Sequence, residues 1–518
     1  MNYIDPVNYK IHLEPDLQTL TFSGDIEIVI EASKSVSEIS LNALELAFRK
    51  CNVLLGNESA QCRFYVDNQK ERVNICLPKK MVGRIIVKIN FSGKINDRMA
   101  GFYMSKYNAG GTWKYNAVTQ FEESDARRAF PCFDHPSKKA TFAVQMVIDE
   151  NLVAISNGPI IEEKPLDNGK KLVIFQQTPR MSTYLLFFAV GEFEFIEDTE
   201  EEVLIRAGTM PGMTKYARFG LGFGRKALKF CEDYYGLKYP FPKLDLIAIP
   251  DFAAGAMENW GAITFRENLL LHYPGITSKA GQQRICEVIA HEIAHQWFGD
   301  LVTPSDWKYL WLNESFATYF GSGVVAYYYP EWDMWDQFLY NRTGTAFSRD
   351  GLKETVAIEI PGGEHEVINA STAPIIYNKG ASLLWHVVDY LGEHDFKEGL
   401  RRYLKKYEYK CASSHNLWEA FEEISEKPIT TIMKSWIEQP GFPLVKVKRD
   451  AGNLFLTQSR FTYLPGESDQ IWIFPVTIRV FYENGYAKNI TALLQEKDSI
   501  IDIGKDAISC KVNYGQIG

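Results

Sequence analysis

A chain of 518 residues is too long to fold around one hydrophobic core and implies about three domains. Its apolar fraction of 46% and charged fraction of 23% are those of an ordinary globular protein, not of a disordered or membrane-embedded chain. A formal net charge of −9 argues against nucleic acid or an anionic membrane as the main partner, while leaving room for an acidic cleft that attracts cations.

The opening stretch "MNYIDPVNYKIHLEP" lacks the basic region and apolar run of a secretory leader. No apolar run further on is long enough to span a bilayer. The eight cysteines are scattered without a CxxC pair, as reduced thiols in a cytoplasmic protein would be. In that compartment the N-x-S/T matches, Asn57 among them, are coincidental. Up to about residue 195, stretches such as "FSGDIEIVIEAS" and "ATFAVQMVIDE" alternate apolar and polar residues at period two, which predicts an antiparallel β domain over 1–195. Over 196–438 the pattern changes: "GRKALKFCEDYYG" reads as helix, Leu244 to Glu267 as a β segment, and Ser278 to Trp436 as mainly helical. Pro440, Gly441 and Pro443 break that pattern, and strands such as "IWIFPVTIRVFYENG" follow, so 439–518 is expected to be a β domain. The fold class is multidomain α+β.

The chemistry concentrates in "CEVIAHEIAHQWFGD", Cys286 to Asp300. His291 and His295 stand at i and i+4 on one helical face, close enough to share an ion. Glu292 lies about 60° around the helix from His295, beside the pair. Val288, Ile289, Ile293, Ala294, Trp297 and Phe298 make the rest of the helix apolar. Buried without partners, such polar groups would each cost on the order of 1–3 kcal/mol or more. A cation taking two neutral imidazole lone pairs removes that cost. The alternative is a chance meeting of two core histidines and a glutamate.

A second signal comes from "YLWLNESFATYF", an apolar helix whose charged residue is Glu314. A turn in "LVTPSDWK" would let this helix run back along the first and bring Glu314 to the histidines. His, His and Glu would leave one tetrahedral position open for water, as a catalytic Zn2+ site does. An N-capping or surface glutamate is the competing reading, and the apolar flanks of Glu314 speak against it. Glu292 is then the expected general base in hydrolysis of an amide. Upstream, "DFAAGAMENWGAITFRE" (Asp251 to Glu267) reads as a loop or edge strand. Gly255 and Ala256 would there let a substrate backbone approach and pair by strand addition. By itself Glu258 reads as an exposed loop carboxylate.

Taken in order, "GAMEN" at 255–259, "HEIAHQWFGD" at 291–300 and "WLNESFA" at 311–317 resemble the aminopeptidase N family of zinc metallopeptidases, the gluzincins. The resemblance extends to "TQFEESDARRAFPCFDHP" (119–136), "IIYNKGASLLWHV" (375–387) and "WIEQPGFPLVKV" (436–447), and the chain is more like the soluble members, including the archaeal tricorn-interacting factor aminopeptidases, than the membrane-bound ones. It implies an N-terminal β domain, a thermolysin-like catalytic domain over 196–438 and a β-sandwich over 439–518. It also implies one Zn2+ held by His291, His295 and Glu314, and peptides with an unblocked N-terminus as substrates. Glu258 and Glu122 would hold the substrate's α-ammonium, an arrangement that forces cleavage after the first residue. Tyr377 would donate to the tetrahedral oxyanion, and Gln120 and Met257 would line the first side-chain pocket. A functional link to an upstream protease is a further expectation.

Two departures from the family are visible. Asp300 stands where many relatives have Asn, which reads as a tolerated variation. The family also usually continues past "KVNYGQIG" into the rest of the β module and a helical fourth domain. The β-sandwich is therefore expected to be truncated and the fourth domain absent, with the zinc chemistry surviving better than peptide handling. The alternatives that remain are the epoxide-opening leukotriene-A hydrolase branch, a thermolysin-like endopeptidase, and a catalytically weakened fragment or binding scaffold of the family.

Overall fold

Alternation of apolar and polar residues, interrupted where Ile28, Val29 and Ile30 are all buried, explains the first large sheet. In the strand Thr21–Asn42, Phe22, Ile26, Ile28 and Ile30 point inward while Asp25, Glu27 and Glu31 face outward or are half-covered. The computed structural model describes residues 3–56, 58–199, 202–360, 367–464, 466 and 468–516. Asn57 lies outside that set, as do residues 1–2 of the expected N-terminal domain, 200–201 and 361–366 of the expected catalytic domain, and 465, 467 and 517–518 of the expected C-terminal domain. The described residues fall into two compact units, Met1–Asp233 with Lys238–Ser305 and Glu408–Cys411, and Tyr234–Leu237 with Asp306–Tyr407 and Ala412–Gly518. Segment 196–438 contributes to both.

In the first unit, Ile4–Asp16 pairs antiparallel with Thr21–Asn42 (Ile11 opposite Ile26) and parallel with Thr141–Asp149 (Ile11 opposite Val144). These strands form part of a nine-stranded sheet. A four-stranded sheet, ordered Val153–Ser156, Phe188–Gly191, Thr112–Gln120, Gly101–Ala109, meets it through aromatic edges. Phe102 lies 5.3 Å from Phe22 and 5.1 Å from Phe188, and Phe121 lies 5.8 Å from Phe188. T-shaped contacts of this kind add to the gain from burying the rings. The β-rich N-terminal region expected from the sequence is therefore present, with one parallel pairing inside it.

The same unit holds a five-stranded sheet ordered Glu194–Asp198, Leu204–Thr209, Lys243–Ile249, Ala262–Arg266, Ala256–Met257. Lys243–Ile249 is buried along its whole length and runs parallel to both neighbours. That suits a central strand covered on both faces. Ala256–Met257 is the edge strand, antiparallel to Ala262–Arg266. The helix Thr214–Tyr235 approaches closely through Gly220 and Gly224. A side chain at Gly220 would meet Leu270 at 2.8 Å and Ile289 at 3.2 Å, and one at Gly224 would meet Leu246 at 2.8 Å. Two glycines four apart give this helix a flat face against the helix that carries the histidines.

The second unit is helical and then β. Trp311–Tyr328 is buried along most of its length, and Trp311 stacks on Trp418 with ring centroids 5.4 Å apart. The helices Gly380–Leu391, Glu393–Tyr407, Ser414–Ser425 and Ile429–Ile437 follow. Beyond Pro443 come two three-stranded antiparallel sheets. One is ordered Pro443–Asp450, Asn453–Arg460, Asp498–Asp502, and the other Ala487–Leu494, Phe474–Tyr482, Ala507–Val512. This β-rich end follows the helical region in the order expected from the sequence.

Candidate active site

The helix Lys279–His295 starts where Ser278 Oγ accepts a hydrogen bond from the Gly281 amide at 3.1 Å. Its last two turns bury Val288, Ile289, Ala290, Glu292, Ile293, Ala294 and His295. His291 is half-buried. The two imidazoles meet with Nε2 atoms 3.1 Å apart and ring planes at 78°. His295 Nδ1 lies 2.9 Å from the Phe298 carbonyl oxygen, which can only accept, so Nδ1 carries the proton. The lone pair of the neutral His295 ring is thereby left on Nε2, facing His291.

The edge strand brings a carboxylate to the same place. Glu258 follows Met257 directly and is 2% exposed, so it is not the exposed loop glutamate that its isolated sequence context suggests. Glu258, Glu292 and His295 each offer a ligand-type atom within 4.8 Å of the others. The turn after Glu258 is fixed from several directions. Asn259 Nδ2 donates to Thr264 Oγ1 at 3.1 Å, and Asn157 Nδ2 donates to the Trp260 carbonyl at 2.8 Å. Gly261 has φ +84°, and a Cβ there would sit 2.6 Å from the Asn157 carbonyl oxygen, so only glycine fits. At the strand's other end the Gly255 carbonyl accepts from the Arg266 amide at 2.9 Å.

The residues after His295 form a turn whose carbonyls are held by side chains. Tyr184 donates its hydroxyl to the Gly299 carbonyl at 3.2 Å. Lys139 Nζ donates to the Asp300 and Leu301 carbonyls, both at 3.1 Å. Lys139 is buried, and desolvation pulls its pKa down to about 8 against the neighbouring charges of Cys411 and Asp300. Asp300 is fully buried, and neither carboxylate oxygen has a hydrogen-bond partner among the described residues. Desolvation, and next the Glu258 carboxylate, push its pKa well above the ordinary aspartate value. The sequence alone treats Asp300 as a tolerated exchange and gives Lys139 and Tyr184 no part. Lys139 lies in the stretch "DHPSKKATF", where spacing alone does not distinguish it from a surface lysine.

Gln120 ends the strand Thr112–Gln120, and its Oε1 is buried without a hydrogen-bond partner among the described residues. Glu122, two residues on, is half-buried. The neighbouring strand Gly101–Ala109 is tied to the start of the "DFAAGAMEN" stretch. Tyr103 donates its hydroxyl to the Asp251 carbonyl at 2.9 Å, and the Lys106 amide donates to the Asp251 carboxylate at 3.0 Å.

The remaining two candidates lie in the second unit. Glu314 is in the first turn of Trp311–Tyr328 and is 2% exposed, which removes the surface-glutamate reading. Tyr377 is half-buried in the π-helical turn Pro374–Lys379. Their chain neighbours join the two segments: Ser315 Oγ donates to the Ile376 carbonyl at 2.6 Å, and a Cβ on Gly380 would strike Ser315 Oγ at 1.9 Å. Lys379 anchors the turn by an ion pair to Asp350 at 2.8 Å and a bond to the Gly441 carbonyl at 2.8 Å. Glu314 and Tyr377 thus stand on two segments packed as closely as their side chains permit.

Two family models match the chain, the Peptidase M1 N-terminal domain over residues 5–185 and the Peptidase family M1 domain over residues 219–436. Among similar proteins, "Aminopeptidase M1" of Arabidopsis thaliana is 38% identical over 517 residues, covering 98% of this chain and 58% of the relative. "Probable aminopeptidase 2" of Sulfurisphaera tokodaii is 40% identical over 512 residues, covering 98% and 62%. "Alanine/arginine aminopeptidase" of Saccharomyces cerevisiae is 36% identical over 529 residues, covering 100% and 61%. The chain belongs to peptidase family M1, the aminopeptidase N family. It spans between 58% and 62% of the length of these three relatives.

Proposed function

We propose that this chain carries the catalytic centre of a zinc-dependent aminopeptidase that releases the first residue from peptides with an unblocked N-terminus. The observation behind the proposal is the pair of imidazole Nε2 atoms 3.1 Å apart, beside the buried carboxylates of Glu258 and Glu292. With its proton committed to the Phe298 carbonyl, His295 presents a lone pair on Nε2, and the His291 Nε2 beside it can either donate a proton to that lone pair or join it in binding a cation. The ligands proposed for the ion are His291, His295 and Glu314, a donor set that suits Zn2+ with a position left for substrate. When bound, the ion supplies Lewis acidity at the scissile carbonyl.

The chain's own residues do the rest. Glu292 takes a proton from the attacking water and returns it to the leaving amine. Tyr377 donates its hydroxyl to the oxygen on which negative charge develops. Glu258 and Glu122 accept hydrogen bonds from the α-ammonium, which fixes the scissile bond one residue away. The backbone of Gly255, Ala256 and Met257 offers the open side of an edge strand to the substrate. Met257 and the buried acceptor of Gln120 line the first side-chain pocket. A cytoplasmic setting, where an upstream protease supplies short peptides, completes the proposal. No helix among the described residues is long and apolar enough to cross a membrane.

A panel of aminoacyl-coumarin substrates, with and without a chelator, tests this directly. One equivalent of zinc per chain, chelator-sensitive turnover and strongly reduced turnover of the N-acetylated substrates are expected. Glu292→Gln should keep its zinc and lose roughly 10²–10⁴-fold in kcat. Full activity in that variant would remove Glu292 from its assigned role, and undiminished cleavage of acetylated substrates would point to an endopeptidase.

A further inference from the structure

The motif glutamine, Gln296, has no part in the chemistry described so far, yet its amide is fully engaged between the two carboxylate-bearing segments. It is completely buried. Nε2 donates to the Glu258 carbonyl at 3.1 Å and to the Glu292 carbonyl at 3.2 Å. Oε1 accepts from the Gly261 amide at 3.3 Å and from the Tyr239 hydroxyl at 3.5 Å. Two donors and two acceptor sites are the whole capacity of a carboxamide, and each faces a partner here, the Tyr239 hydroxyl being shared with the Lys243 carbonyl at 3.3 Å.

The partners explain why a glutamine stands here. The Gln296 amide turns to the Ile293 carbonyl at 3.1 Å, tightening the end of the helix and depriving the Glu292 carbonyl of its helical donor. The side chain of the same residue replaces that donor. On the other side, Ala256–Met257 is a strand of two residues paired, among the described residues, to Ala262–Arg266 alone, which gives the segment carrying Glu258 few ladder bonds of its own. Gln296 grips this segment on both flanks of the "ENWG" turn, at the Glu258 carbonyl and at the Gly261 amide. Three of its four partners are backbone groups, so the amide acts on chain position and not on side-chain identity.

We propose that Gln296 is a positioning residue that sets the spacing between the amine-binding carboxylate of Glu258 and the general base Glu292. This inference rests on the aminopeptidase reading above. In an exopeptidase that spacing fixes which bond is cut. Misplacement by about 1 Å is enough to cost on the order of 100-fold in rate.

The test compares the wild-type chain with Gln296→Met, which keeps the length and removes all four bonds, and with Gln296→Glu, which keeps the acceptor and loses both N–H donors. Each is assayed on an aminoacyl-coumarin and on its N-acetylated form, with zinc content and urea midpoint used to express rates per folded, metal-loaded molecule. Both variants should show KM for the unblocked substrate raised about 10-fold or more. Their preference for the unblocked over the acetylated substrate should narrow by a similar factor. An unchanged KM and unchanged preference, with kcat falling only as zinc or folded protein falls, would overturn the proposal and leave Gln296 a purely structural residue. If the wild-type chain itself releases no N-terminal residue, it is the aminopeptidase reading that fails; if the wild type works and the variants match it, only the assignment of Gln296 fails.

Discussion

Lys139 shows what a single buried charge can report. Its ammonium is held by two backbone carbonyls, with its pKa drawn from 10.5 to about 8 by desolvation. The unfolded chain keeps this proton up to its ordinary value, whereas the folded chain releases it near pH 8. Between those values the unfolded state binds more protons, so the contribution of Lys139 to stability rises with pH through that window. Below about pH 8 the cost of carrying the charge is present in full. Lys139→Met abolishes the titration, so wild-type stability relative to the variant should rise by roughly 3 kcal/mol from pH 7 toward pH 10.5. Urea midpoints of both proteins across that range measure it, and a flat difference would mean that the amine titrates near its ordinary value. Lys243, also drawn down to about 8 by burial, is present in both proteins and cancels.

At the scale of elements, helix and edge strand have different origins. The helix Lys279–His295 was legible because its apolar period and its Ser278 cap are local properties. The same is true of the histidine spacing. The edge strand is two residues long and was legible only as a loop or strand between two runs, since its pairing depends on partners seven and nine positions away, Met257 with Thr264 and Ala256 with Phe265. Its turn depends on Gly261, with φ +84° and the Asn157 carbonyl oxygen 2.6 Å from where a Cβ would stand. Gly261→Ala should cost about 1–3 kcal/mol from the backbone alone. The added clash should displace Glu258, so that kcat/KM falls together with the urea midpoint. A variant with normal stability and normal turnover would show that the turn relaxes without moving its carboxylate.

At the scale of the molecule, the first unit rests on an aromatic seam between its nine-stranded and four-stranded sheets. Phe102 is fully buried there, in edge contact with Phe22 and Phe188. Phe102→Ala should destabilise the protein by about 3–5 kcal/mol through lost burial and a residual cavity. Denaturation followed by intrinsic fluorescence checks this, and a loss under about 1 kcal/mol would mean that the seam collapses around the gap. The sequence by itself determined the β–helical–β order of the chain, the facing histidines and the glutamate beside them, because periodicity and i,i+4 spacing are written locally. Tertiary structure alone decided that Glu258 is buried against Glu292 and His295, that Asp300 is a fully buried acid, and that Lys139 and Gln296 hold the backbone around them. Those features arise where segments distant in sequence meet away from water, and no local pattern specifies the desolvation or the hydrogen-bond partners a side chain finds there.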